Sequence, residues 1–76
     1  MHAKEVGKIE QFLMDRNGET RGLADWCHEI NSQGKIRRKF TRRELAFIIN
    51  RHLKNGHFQI EHKIGSAQYT FFRTDI

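Results

Sequence analysis

Proline is absent from all 76 positions and cysteine occurs once, as Cys27. One cysteine excludes an internal disulfide framework and fits a reducing compartment. Without proline, and without a Ser/Gly-rich linker or an internal repeat, nothing marks a domain boundary. The expectation is therefore one domain over 1–76. No apolar run approaches the roughly 18 residues that a membrane span requires. The opening "MHAKEVGKIE" is broken by charge every few positions and lacks the apolar h-region of a signal peptide. Hydrophobic residues make up 37% and charged ones 30%, lean for a globular chain but outside the disordered range. These absences point to a small soluble protein of the cytoplasm, with no membrane partner and little surface to spare for a core.

Acidic residues are scarce in one place. Residues 1–34 carry four Lys/Arg and six Asp/Glu, and residues 55–76 carry two of each. Residues 35–54 carry eight Lys/Arg against the single acid Glu44, a local charge of +7. Clustered basicity of this kind is the footprint of a nucleic-acid surface, although basic runs also occur on solvated faces with no partner.

Apolar periodicity predicts three helices. Val6, Ile9 and Leu13, with Phe12 and Met14 alongside, lay a stripe along residues 3–16, and Asn17-Gly18 suits a left-handed stop. Leu23, Trp26, Cys27 and Ile30 repeat at helical spacing, with Thr20 as the expected N-cap and an end near Ser32-Gln33-Gly34. Trp26 and Cys27 fall on the apolar face and read as core. In "FTRREL", Thr41 and Glu44 form a capping box, and Phe40 and Leu45 occupy the positions of a hydrophobic staple. The third helix should run to Lys54 with Asn55-Gly56 as its stop. Its expected buried stripe is Leu45, Ile48, Ile49, His52 and Leu53. The opposite face presents Arg43, Phe47, Asn50 and Lys54, flanked by Arg42 and Arg51.

Past Gly56 the period changes from helical to alternating. Phe58, Ile60, His62 and Ile64 share one face of a strand, and Ala67, Tyr69 and Phe71 share the matching face of a second. Gly65-Ser66 suits a two-residue type II′ turn. That register sets Ile60 opposite Phe71 and His62 opposite Tyr69, with Lys63, Gln68 and Thr70 outward. A lone hairpin is marginal in water, so it must pack on the helices.

The expected class is α+β, three helices followed by a two-stranded β-hairpin, the order of a winged helix-turn-helix. "KIEQFLMDRNGETRGLADWCHEI" resembles the first two helices of small bacterial winged-helix regulators. "LKNGHFQIEHKIGSAQYTFF" resembles the end of their recognition helix and the wing. The spacing of Gly56, Gly65, Ala67, Tyr69 and Phe71 is similar to the wing of the FaeA/PapI type of fimbrial-operon regulators. The connection "NSQGKIRRKF" is longer and more basic than the tight turn usual there.

The resemblance implies a transcriptional regulator of bacterial or mobile-element origin, with its recognition helix, residues 41–55, in the major groove of double-stranded DNA. Arg42, Arg43 and Asn50 would approach base edges, where arginine suits guanine and asparagine suits adenine. Arg51 and Lys54 would join the same surface. Lys35, Arg37, Arg38 and Lys39, in the basic loop 34–40, suit phosphates. Lys63 would be the contribution of the wing, residues 57–73. One short recognition helix is little for tight specific binding by a monomer, so a homodimer or a larger co-regulator is expected. Phe47 and Phe72 are the candidate protein contacts.

Other classes find less support in the residues. His52, His57 and His62 are spaced by five, which fits neither a helical nor a strand ligand pair, and no compact Cys/His cluster suggests zinc. Cys27 and His28 are neighbours on a helix and point about 100° apart, with no third group to orient them. No phosphate-cradling glycine loop or paired acid suggests an enzyme, a cofactor or a small-molecule substrate. An RNA-binding protein shares the phosphate argument, but RNA readers stack bases on exposed aromatics, for which only Phe47 and Phe72 are available. A protein-interaction module or small phage- or plasmid-encoded inhibitor, its basic segment meeting an acidic partner, is the alternative from a different class.

Overall fold

The first helix, α1, runs over Ala3–Met14 and turns the apolar stripe of Ile9, Phe12 and Leu13 into the core. The computed structural model describes residues 3–34, 39–54, 56 and 58–74, and the side chains from Glu5 onward. Helix α1 closes through a turn that ends at Gly18, whose φ of +82° is the left-handed geometry expected of Asn17-Gly18.

The next segment departs from expectation. Thr20 does not cap the second helix; Thr20–Gly22 is a short strand, β1. Helix α2 (Leu23–Asn31) instead starts from Gly22 with no side-chain cap. The third helix, α3 (Arg42–Ile48), begins at Thr41 with the anticipated capping box: the Thr41 N–H donates to Glu44 Oε1 at 3.0 Å, and the Glu44 N–H to Thr41 Oγ1 at 3.1 Å. Phe40 and Leu45 are both buried.

Helix α3 continues to Leu53, but over Ile49–Leu53 it widens into a π-helical turn, in which the Lys54 N–H donates to the Ile49 carbonyl at 2.9 Å. The wider turn explains a second correction. A strict α-helix would bring His52 inward with Ile48 and Ile49; a five-residue repeat brings Leu53 beneath Ile48 and leaves His52 exposed. Asn55, half of the expected stop, lies outside the described residues.

Strands β2 (Phe58–His62) and β3 (Gln68–Arg73) pair antiparallel with Ile60 opposite Phe71 and His62 opposite Tyr69, the anticipated register. The expected two-stranded hairpin is, however, part of a three-stranded antiparallel sheet in the order β1-β3-β2. Thr70 faces Thr20 across the β1–β3 ladder, and their hydroxyl oxygens lie 2.5 Å apart. Thr70, expected to face outward, is consequently buried.

The hairpin tip also differs. The Ser66 N–H donates to the Lys63 carbonyl at 3.0 Å, and Gly65 has a φ of +85°. Positive φ at the third position of Lys63–Ser66 defines a type II turn, one residue earlier than the expected type II′ turn. Ile64 therefore occupies a turn corner, 96% exposed, rather than the end of an inward strand face.

The core lies between helices and sheet around Trp26, which is fully buried as anticipated. Its indole N–H donates to the Tyr69 carbonyl at 2.9 Å. Phe12 and Phe71 meet it edge-on, at centroid distances of 6.4 and 5.2 Å, a favoured geometry for aromatic pairs. These contacts hold α1 and β3 against α2, and so place the hairpin relative to the helices. The described residues thus form an α+β fold of three helices and one antiparallel sheet.

Candidate nucleic-acid interface

The placement of α3 depends on one side chain that periodicity does not single out. Asn31, at the end of α2, accepts the Phe40 N–H through Oδ1 and donates from Nδ2 to the Phe40 carbonyl, both at 2.8 Å. The Cys27 thiol donates to the same carbonyl at 3.1 Å. Phe40 is the residue before the Thr41 cap, so α2 fixes where α3 begins. Burial pushes the Cys27 thiol above its ordinary value of 9.0, and the Asn31 hydrogen bond and the Arg42 charge only partly oppose this. It is a buried anchor, as its place on the apolar face suggested.

From that start, Arg42, Arg43 and Phe47 of α3, and Asn50, Arg51 and Lys54 of its π turn and cap, are all exposed. Among the described residues, Arg42, Arg43 and Lys54 form no ion pair. Glu44, the one acid of the segment, is occupied in the cap. Arg51 lies over the Phe47 ring, 5.9 Å from its centroid, and His52 approaches the same ring edge-on at 6.3 Å. Phe47 itself is 50% exposed.

Two depressions flank this face. One, of about 510 Å³, runs between the π turn and the hairpin; Asn50 and Lys54 line one side and Gln59, Ile60 and His62 the other. His62, expected on the face shared with Phe58 and Ile60, is exposed here, its ring stacked flat on Tyr69 with centroids 4.1 Å apart. The other, of about 640 Å³, joins the start of α2 at Leu23 and Ala24 to Arg42 and Arg43, with Ala67 of the hairpin loop at its edge. The basic helix face and the hairpin thus border common clefts.

The remaining candidates are distributed differently. Lys39 is exposed, and its ammonium donates to the Asn31 carbonyl at the end of α2. Lys63 is exposed on the hairpin loop. Lys35, Arg37 and Arg38 lie outside the described residues. Phe72 is half-buried on the β3 face beside Gly18, where an added Cβ would lie 3.7 Å from its ring. Of the two candidate protein contacts, Phe47 is the exposed one. Ile64, absent from the sequence-derived candidates, is the other large exposed apolar side chain among the described residues. Gly65 could have signalled it, because glycine also favours the third position of a type II turn.

Arg21 is basic but differently engaged. It pairs with Glu19 at 2.7 Å and Glu29 at 3.0 Å and lies 4.7 Å from the Trp26 ring centroid. Among the described residues, no three His, Cys, Asp or Glu side chains are grouped to hold a metal ion, and no helix is long and apolar enough to cross a membrane. Compared with known proteins, the chain matches no family, no curated protein and no solved structure.

Proposed function

We propose that this protein is a winged helix-turn-helix regulator of transcription that binds double-stranded DNA in the cytoplasm, with α3 as its recognition helix and the β2–β3 hairpin as its wing. The observation that carries this reading is the exposed face of α3. Arg42, Arg43, Asn50, Arg51 and Lys54 are all exposed along the helix and its π turn, and Asn50 and Lys54 line a groove whose other side is the hairpin.

An α-helix with such side chains fits the major groove, where Arg43 and Asn50 can each make a bidentate contact to a base edge. Arg42, at the same end of the helix as Arg43, also approaches base edges, and Lys39 and Lys54 suit phosphates. Lys63 extends the positive surface onto the hairpin. Lys35, Arg37 and Arg38, from the basic loop, add to the phosphate contacts in this reading. The surface is small for tight recognition by one copy, so the protein acts as a dimer or with a larger co-regulator. The alternative is a module that docks on an acidic protein, and the exposed Phe47 ring within the basic face favours it, because aromatic and arginine side chains anchor protein interfaces.

The test is the binding of a labelled random-sequence duplex at several salt concentrations, followed by fluorescence anisotropy. Micromolar affinity with a log–log slope of about −4 or steeper is expected, since each neutralised phosphate contributes about −0.9. Absence of binding at low salt by a folded sample would reject the DNA reading and favour the protein-docking one.

A further inference from the structure

The hairpin tip carries a feature that phosphate binding does not use. Ile64 is 96% exposed at the corner of the Lys63–Ser66 turn. The tip around it is tightly tied. The Ser66 N–H donates to the Lys63 carbonyl at 3.0 Å and the Gln68 N–H to Ser66 Oγ at 3.1 Å. His62 Nε2 lies 2.5 Å from the Ser66 carbonyl, and the His62 ring is stacked on Tyr69. An apolar side chain is thus presented to solvent on a braced support, so engaging a partner would cost little ordering entropy.

We propose that Ile64 is an apolar wedge that enters the minor groove of duplex DNA and opens a base step, bending the duplex; this rests on the DNA-binding reading above. Three observations favour this occupant.

The first is placement. Along β2 the Phe58, Ile60 and His62 side chains go from buried to exposed, and all three line the groove that Asn50 and Lys54 border from the helix. Ile64 follows two residues after His62, at the turn corner of the same hairpin, the element that would flank a duplex held against α3.

The second is charge. Lys63 is exposed directly beside Ile64, suited to the phosphates that line the groove. The third is size. A stable protein contact buries about 800 Å² on each partner, whereas Ile64 is a single large apolar side chain among Lys63, Gly65, Ser66 and Ala67. A base step accepts one such side chain: Ile, Leu, Phe and Met inserted from the minor groove partly unstack it and kink the duplex by roughly 20–90°. Pyrimidine–purine steps unstack most easily, so the wedge favours sites with a TA or CA step under the hairpin.

The experiment uses the full chain and duplexes labelled at both ends, with bending read by energy transfer. A fluorescent purine analogue placed at successive steps reports unstacking. Wild type should shorten the end-to-end distance and brighten the analogue at one step. Ile64→Ser should abolish both signals and weaken binding about tenfold, with an unchanged circular dichroism spectrum, because the side chain lies outside the core. Ile64→Val should retain most of the bend.

A wild-type protein that binds duplex yet leaves it straight, or an Ile64→Ser variant that bends it fully, would overturn the wedge and leave DNA binding standing. Loss of a wild-type dimer in Ile64→Ser with bending unchanged would assign the tip to a second copy instead. If wild type binds no duplex even at low salt, the DNA reading itself fails and the wedge falls with it.

Discussion

The Asn31 side-chain amide pairs with both backbone polar groups of Phe40, nine residues further along the chain. This makes the end of one helix the template for the start of the next. The basic face of α3 inherits its orientation from that contact. Replacing Asn31 with alanine should cost about 1–3 kcal/mol, the range for lost hydrogen bonds that leave partly buried polar groups behind. Urea unfolding would show it as a lower midpoint at unchanged slope. If the DNA reading is correct, duplex affinity should fall as well, although Asn31 is not among the proposed DNA contacts.

The hairpin tip allows a second check. Gly65 has a φ of +85° and no atom within 4 Å of an added Cβ, so only backbone conformation opposes a side chain there. Gly65→Ala should therefore destabilise by about 1–2 kcal/mol. The near-ultraviolet signal of the buried aromatics should persist at temperatures below the lowered Tm.

Cys27 gives a pH dependence. Burial raises the folded-state pKa of its thiol above 9.0, so the folded protein retains the proton where the unfolded chain has begun to release it. The contribution is fully present below the unfolded value and is lost as pH rises from there through the folded value. Unfolding free energy should fall on that alkaline limb, and Cys27→Ala should flatten the fall relative to wild type. A thiol reagent should label native Cys27 slowly at neutral pH and rapidly in denaturant.

The proposed contacts separate by role. Arg43→Ala and Asn50→Ala should relax sequence preference, at about 1–3 kcal/mol of lost discrimination per bidentate contact. Lys54→Ala should weaken all duplexes alike and reduce the salt slope by about 0.9. All three side chains are exposed, so unfolding free energies should change by less than about 0.5 kcal/mol. A selection over random duplexes, paired with anisotropy at two salt concentrations, distinguishes the two classes.

The exposed face of α3 was legible because a helix repeats locally. Arg43 and Phe47 are four residues apart within the α-helical stretch, and both are exposed, as are Asn50 and Lys54 beyond it. His52 was misplaced because the π turn brings Leu53, not His52, beneath Ile48, and no local pattern announces that turn. Ile64 was missed through a one-residue shift of the turn. That shift preserves the strand register, with Ile60 still opposite Phe71, and changes only which residue stands at the corner.

By itself, then, the sequence determined the features that are short-range: the capping box of Thr41 and Glu44, the apolar stripes, the left-handed glycine at position 18 and the pairing of the hairpin. Each depends on residues a few positions apart or on a repeat of period 3.6 or 2. Tertiary structure decided the rest. Thr20–Gly22 became a strand because β3, about fifty residues away, offers it an edge. Thr70 became buried for the same reason. Trp26 could place the hairpin against the helices only once its indole N–H found the Tyr69 carbonyl. Such contacts carry no local signature, because the partner that satisfies each polar group is chosen by the fold as a whole.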